Sequence, residues 1–171
     1  MSDDRAAWLA TTQEDALDPA LPICDPHHHL WDTPQSRYLL EELHADTGAG
    51  HNVVQTVFLE CSSAYREDGP EAMRPVGETE FVAAIAEESA RSTGATIAAI
   101  ISYADLRLGE AVEEVLDAHE QAGGGRFRGI RHASAWDASD QVHNAHTHPS
   151  EDMFATADFR RGAQVLSSKG Y

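Results

Sequence analysis

Four short runs of the chain are apolar on both faces or nearly so, and they are separated by stretches with helical periodicity. That alternation limits the fold more than any other feature. Val53-Val54-Gln55-Thr56-Val57-Phe58-Leu59 is β-branched and aromatic, and Ala95–Tyr103 is a continuous apolar run. Phe127–His132 follows the Gly123-Gly124-Gly125 turn, and Leu21–Asp25 leads into a cluster of histidines. Between them, Phe81, Val82, Ile85, Ala86 and Ser89 recur at helical spacing within Glu78–Ala90, with Glu78, Glu87 and Glu88 on the opposite side. Ala111, Val112, Val115, Leu116 and His119 do the same within Leu108–Ala122, and Gly123 is a natural stop. Asp158–Ser168 predicts a further helix and Tyr38–Leu43 a short one. Two-faced apolar strands alternating with amphipathic helices imply βαβ units and a parallel sheet.

About four such units fit within 171 residues. A closed eight-stranded α/β barrel takes ~200–250 residues, so four units make either a small open doubly wound sheet or part of a barrel. Val165–Tyr171 reads as a helix end, a Gly C-cap and the first residue of another strand, which favours a partial (β/α)8 TIM barrel cut after its fourth unit. Residues 1–20 are polar without a sustained period and read as an N-terminal leader; residues 21–171 form the domain.

The 29 acidic against 12 basic residues give a formal charge of −17. A surface of that sign repels phosphate backbones and anionic headgroups, which argues against nucleic-acid and membrane partners. The start of the chain lacks the basic and apolar regions of a signal peptide, and no run approaches the ~20 apolar residues of a membrane span, so a cytoplasmic location is expected. Cys24 and Cys61 lie in apolar stretches and are expected to be buried free thiols.

The residues richest in chemistry are Asp25-Pro26-His27-His28-His29-Leu30-Trp31-Asp32. In a strand, i and i+2 point the same way, so His27 and His29 share a face and His28 points oppositely. Two imidazoles a pleat apart can bind one divalent cation, and this pair sits at the carboxyl end of an early strand, where α/β sites are built. At the fourth strand, Arg131 and His132 cannot both point inward if the strand is regular. His132 is expected at the strand-end mouth and Arg131 at its rim, with Arg131 either clamping a substrate carboxylate or pairing with a neighbouring acid. Glu60 ends the second strand and could reach the same mouth. Ser102, Tyr103 and Asp105 end the third, and Trp31 reads as a wall. In the loop His143–Pro149, His146 is expected at the substrate lid rather than in a second metal site.

The stretch PICDPHHHLWD resembles the first strand of the amidohydrolase superfamily, in its amidohydrolase-related branch of TIM-barrel hydrolases and lactonases. VVQTVFLECSSAY, PVGETEFV, ISYADLR and FRGIRH follow in the order of that branch, from about residue 21 onward. The resemblance implies that His27 and His29 are metal ligands, with zinc the expected ion, although some lactonase relatives use the same histidines without one. It implies a hydrolase of a small cyclic ester or amide bearing a carboxylate, and the positions of Glu60, Arg131 and His132 at the strand ends and of His146 in the following loop make them the expected substrate contacts. The catalytic base is expected beyond Tyr171, so this chain alone is expected to be inactive. The alternatives are a decarboxylase of the same superfamily and a non-catalytic fragment that self-associates through exposed sheet edges.

Overall fold

The computed structural model describes residues 7, 8, 10–12 and 14–171. The leader expectation for residues 1–6, 9 and 13 lies outside the described residues. The strands are β1 (Ile23–His28), β2 (Trp31–Thr33), β3 (Ser36–Tyr38), β4 (Val53–Leu59), β5 (Thr96–Ser102) and β6 (Phe127–Ile130). The helices are α1 (Leu40–Thr47), α2 (Val76–Ala90), α3 (Val112–Ala122) and α4 (Ala157–Ser168). β1, β4, β5 and β6 form one four-stranded sheet in that order, parallel throughout. The chain is therefore α/β with a parallel sheet.

Alternation along the strands, with a register shift in β5 between Ile97 and Ala99, sends Phe58, Ile97, Ile100 and Phe127 toward the helices. There they join two apolar clusters, one with Leu43, Val82 and Ala86 and one with Val112, Val115, Leu116 and Phe159. The intervening residues Val57, Leu59, Ala99 and Ile101 belong to neither cluster and are only partly buried. Register places Val57 beside Ala99 and Leu59 beside Ile101, so they form one contiguous apolar patch on the sheet face away from the helices.

Several local differences from the sequence expectation have plain causes. Trp31–Tyr38 folds back as the antiparallel β2–β3 hairpin around Pro34-Gln35, with Trp31 stacked on Tyr38 at 5.1 Å. The short helix consequently starts later, at Leu40. The helix expected from Leu108 is interrupted: a 3-10 segment, Leu106–Ala111, turns at Gly109 (φ 60°, ψ −133°) before α3 begins. β6 ends at Ile130, two residues short of its expected end. Cys24 is exposed and Cys61 half-buried, both free, because Cys24 lies on the uncovered side of an edge strand. Glu78, expected on the solvent face of its helix, is 1% exposed.

The final helix is anchored by shape. A Cβ at Gly162 would lie 2.2 Å from the Leu106 carbonyl oxygen, so only glycine lets α4 approach the 3-10 segment this closely. No helix among the described residues is long and apolar enough to cross a membrane.

Candidate functional site

All four parallel strands point their carboxyl ends the same way, and the candidate residues collect there. At the end of β1 the Asp25 carboxylate accepts the His27 amide at 3.0 Å, shaping the exit of the strand. His27 and His29 share a face, their rings meet edge-on, and their Nε2 atoms lie 3.1 Å apart. His28 points to the helix side, buried against Phe58, with no hydrogen-bond partner on either ring nitrogen. Burial pushes its pKa down to about 4, with Asp25 the main opposing influence.

The tautomer of His29 follows from its neighbour. The Leu59 carbonyl lies 2.8 Å from His29 Nδ1 and can only accept, so Nδ1 carries the proton and Nε2 presents a lone pair. This is how backbone partners prepare histidines for metal ligation. Two ring nitrogens bound to one ion at ~2.0–2.1 Å sit about 2.9–3.4 Å apart at square to tetrahedral angles, and the observed separation falls in that range. The pair fits as two ligands of a single divalent cation. Among the described residues no third His, Cys, Asp or Glu joins them in a metal-binding group.

A second centre lies at the ends of β4 and β6. Arg131 continues the ladder, its amide donating to the Ser102 carbonyl at 2.8 Å. Its guanidinium reaches past β5, donating from Nε to Glu60 Oε1 at 2.7 Å and from Nη2 to the Glu60 carbonyl. Glu60 has no solvent exposure and Arg131 is about a third exposed, at 36%. Glu60 Oε2 has no hydrogen-bond partner, and His146 Nε2 stands 3.8 Å from it. His146 also faces the Tyr103 ring at 6.3 Å. The loop carrying His146 is tied down by Thr147, whose hydroxyl donates to the Ala133 carbonyl, and by Arg107, which donates to the His148 carbonyl.

The structure thus brings Glu60, Arg131 and His146 together and leaves His132 out of the cluster. The His132 ring is tucked between Tyr103 (5.5 Å) and Phe159 (5.4 Å), and its Nδ1 accepts the Leu106 amide at 3.3 Å. Burial lowers its pKa, against the pull of Asp105. Arg131, expected at the rim, therefore crosses the mouth, and His132, expected at the mouth, braces the β5 loop. Strand alternation fails here because β6 is bulged at Arg128-Gly129, where Gly129 has φ 147°, so Ile130 falls on the same side as Phe127 and Arg131 on the other.

Two open grooves flank these centres. One, of about 360 Å³, runs beside β1 and is lined by Asp25, His27, Trp31, Tyr38 and Asp46 among others. The other, of about 580 Å³, lies beyond His146 between Ala72, Tyr103, Asp105, Arg107, Leu108 and His148. There Arg107 grips the Asp105 carboxylate with Nε and Nη2 at 2.8 Å each, and Glu71 adds a further acidic group to the lining. His143 is exposed and takes no part.

Two buried polar groupings escaped the sequence reading. Ser102 Oγ, Thr79 Oγ1 and His119 Nδ1 form a chain at 2.6 and 2.8 Å, and His119 Nε2 donates to the Tyr103 carbonyl at 2.9 Å. Desolvation lowers the His119 pKa to about 4, so the chain is built on a neutral imidazole. Glu78, in the first turn of α2, accepts the Cys61 and Ser63 amides at 3.0 and 2.7 Å. Acids are common in first helical turns, so nothing in the local pattern marks Glu78 as buried.

No protein-family profile matches the chain, and no solved structure matches it. A curated relative, the uncharacterized protein y4mH of Sinorhizobium fredii (strain NBRC 101917 / NGR234), is 27% identical over 173 aligned residues, covering 88% of this chain and 52% of that protein. The chain therefore spans about half the length of the curated relative it matches.

Proposed function

We propose that the chain is one side of a (β/α)8 barrel hydrolase of the amidohydrolase-related kind, acting on a small cyclic ester or amide. The observation that carries this reading is the His27–His29 pair at the carboxyl end of β1, with its 3.1 Å separation and the orientation imposed by Leu59. The barrel itself is supported by a parallel sheet that, among the described residues, has helices on one face only and unpaired edges on β1 and β6. Parallel sheets are covered on both faces in stable proteins, so the Val57, Leu59, Ala99 and Ile101 face calls for further protein against it.

His27 and His29 would hold a divalent cation, with zinc the expected ion for an all-imidazole pair. When bound, such an ion polarises a carbonyl and makes water acidic. Leu59 keeps the His29 proton on Nδ1, so its Nε2 remains available. The Arg131 guanidinium is already half-neutralised by Glu60, which leaves Nη1 to orient a carbonyl or carboxylate oxygen of the substrate. His146, half exposed above Glu60, is placed to close over a small ligand. His132 supports the wall from behind.

Lactones, lactams and aromatic carboxylates distinguish the enzymatic readings. The isolated chain with zinc is expected to bind the ion without turnover. Co-expression with the part of the Sinorhizobium protein that this chain does not match, to supply the other side of the barrel, is expected to yield acid release from lactones. Release of CO2 from the aromatic acids would select a decarboxylase instead. A complemented, zinc-loaded barrel that turned over none of the three would contradict an enzymatic reading.

A further inference from the structure

The segment that follows β4 ties the two centres of the mouth to each other. The Leu59 carbonyl accepts from His29, and Glu60 accepts from Arg131 through both its side chain and its backbone. The Cys61 thiol donates to the Leu30 carbonyl at 3.4 Å. The Cys61 and Ser63 amides then converge on a single oxygen, Glu78 Oε1. Between and after them, Ser62 (φ 62°) and Ala64 (φ 51°) occupy the left-handed region that side-chain-bearing residues avoid. Amides flanking a left-handed residue make a concavity that takes an anion or other acceptor, and here a carboxyl oxygen of the same molecule fills it.

The loop is also pressed onto the start of α2. A Cβ at Gly77 would lie 2.6 Å from the Ala64 carbonyl oxygen and 2.7 Å from the Arg66 amide nitrogen, so the two segments touch through backbone. Glu78 Oε2 has no partner, and the bonding of this buried acid is directed at the loop.

We propose that Glu78 is a positioning residue: its carboxyl oxygen is the internal acceptor around which the β4–α2 loop folds, and the folded loop holds Glu60 against Arg131 at the mouth. This goes beyond the hydrolase reading and stands whichever reaction the mouth serves.

The charged and titratable groups that face Glu78 are Glu60 from the end of β4, and Cys61 and Tyr65 from the loop. Burial, aided by Glu60, raises the Glu78 pKa to about 7 against the two amide bonds. The Cys61 thiol is pushed up to about 12 and the Tyr65 phenol is also pushed up, chiefly by burial and then by Glu78, so both stay neutral. Closure of the loop over Glu78 is what raises its pKa, so protonation favours the closed loop, and the grip on the loop weakens as pH rises through neutrality.

The test uses the 15N-labelled 171-residue chain as wild type, Glu78→Gln and Glu78→Ala, followed from about pH 5.5 to about pH 8.5. Hydrogen exchange of the Cys61 and Ser63 amides, corrected for intrinsic rate, reads the loop, and the Arg131 Nε–H resonance reads the Glu60 pair. In the wild type, amide protection and the Arg131 resonance are expected to follow one titration with a midpoint near 7. Glu78→Gln keeps an acceptor oxygen, so it should retain the Arg131 resonance and lose the titration. Glu78→Ala should lose protection at both amides by at least about tenfold and lose the hydrogen-bonded Arg131 signal. Unchanged protection and an unchanged Arg131 signal in Glu78→Ala would overturn the proposal. If Glu78→Ala does not fold, Glu78→Gln decides: a titration like that of the wild type would overturn it equally.

Discussion

Arg131 is the cation beside a carboxylate that has no contact with water, and this makes it the most exposed point of failure among single residues. Arg131→Met leaves Glu60 buried without its cation. Removing one partner of a fully buried pair costs about 3–5 kcal/mol, and a value of about 2–4 is expected here because Arg131 is a third exposed. The loss is measured by urea unfolding, and Glu60→Gln in the same chain should recover much of it. The buried histidines act through pH. His28 and His119 each fall from 6.5 to about 4 on folding, so the unfolded chain binds more protons between those values. Their contribution is fully present above pH 6.5 and is lost as pH falls toward 4, by roughly 3 kcal/mol each. Glu78 has the opposite sign: its pKa rises from 4.5 to about 7, so it favours the folded state at low pH and that advantage fades as pH rises to 7. Urea titrations across pH 4–8 should show steeper acid loss in Glu78→Gln than in the wild type. His28→Leu, which removes two unpartnered ring nitrogens, should flatten the same profile. The shared face of His27 and His29 was legible in the sequence because alternation holds across these three residues, although β1 is bulged before them. The placement of Arg131 and His132 was not, since it depends on the bulge at Gly129 that switches the faces of β6.

Elements meet most tightly where α4 lies across the Leu106–Ala111 segment. Gly162→Ala would force a methyl group against the Leu106 carbonyl, and overpacking of this kind costs about 1–3 kcal/mol. The expected outcome is a lower thermal midpoint with the secondary structure retained, measured by circular dichroism; an unchanged midpoint would mean that α4 is free to slide. The strands and long helices were readable because their apolar periods are long and regular, as in β4 and α3. The β2–β3 hairpin was not, because three-residue strands carry too few positions to show alternation. The 3-10 segment hid inside a helical pattern, since the positions before and after Gly109 keep apolar spacing while the glycine itself turns the chain. Glu78 was misread for a related reason: helical spacing assigned it to the polar side, but in the first turn of α2 its side chain meets the loop after β4 rather than solvent.

For the molecule as a whole, the uncovered sheet face is the feature with the largest consequence. Val57, Leu59, Ala99 and Ile101 present apolar surface between two unpaired parallel edges, a combination that favours pairing with other protein. The isolated chain is expected to associate in a concentration-dependent way despite its charge of −17, and Val57→Lys with Ile101→Lys should shift it toward monomer in sedimentation velocity. The parallel α/β arrangement was legible from alternation of strands and helices. The bare face was not, because a strand that is apolar on both sides looks the same in sequence whether its second face is covered by the same chain or by another. The central claim is that His27 and His29 form the cation-binding half of a site at the carboxyl end of β1. Zinc titration by calorimetry on wild type, His27→Ala, His29→Ala and the control His143→Ala tests it most directly. One bound zinc in the wild type and in His143→Ala, with binding weakened by about tenfold or more in each of the other two variants, is the predicted result. Zinc binding unaffected by loss of both His27 and His29 would contradict it.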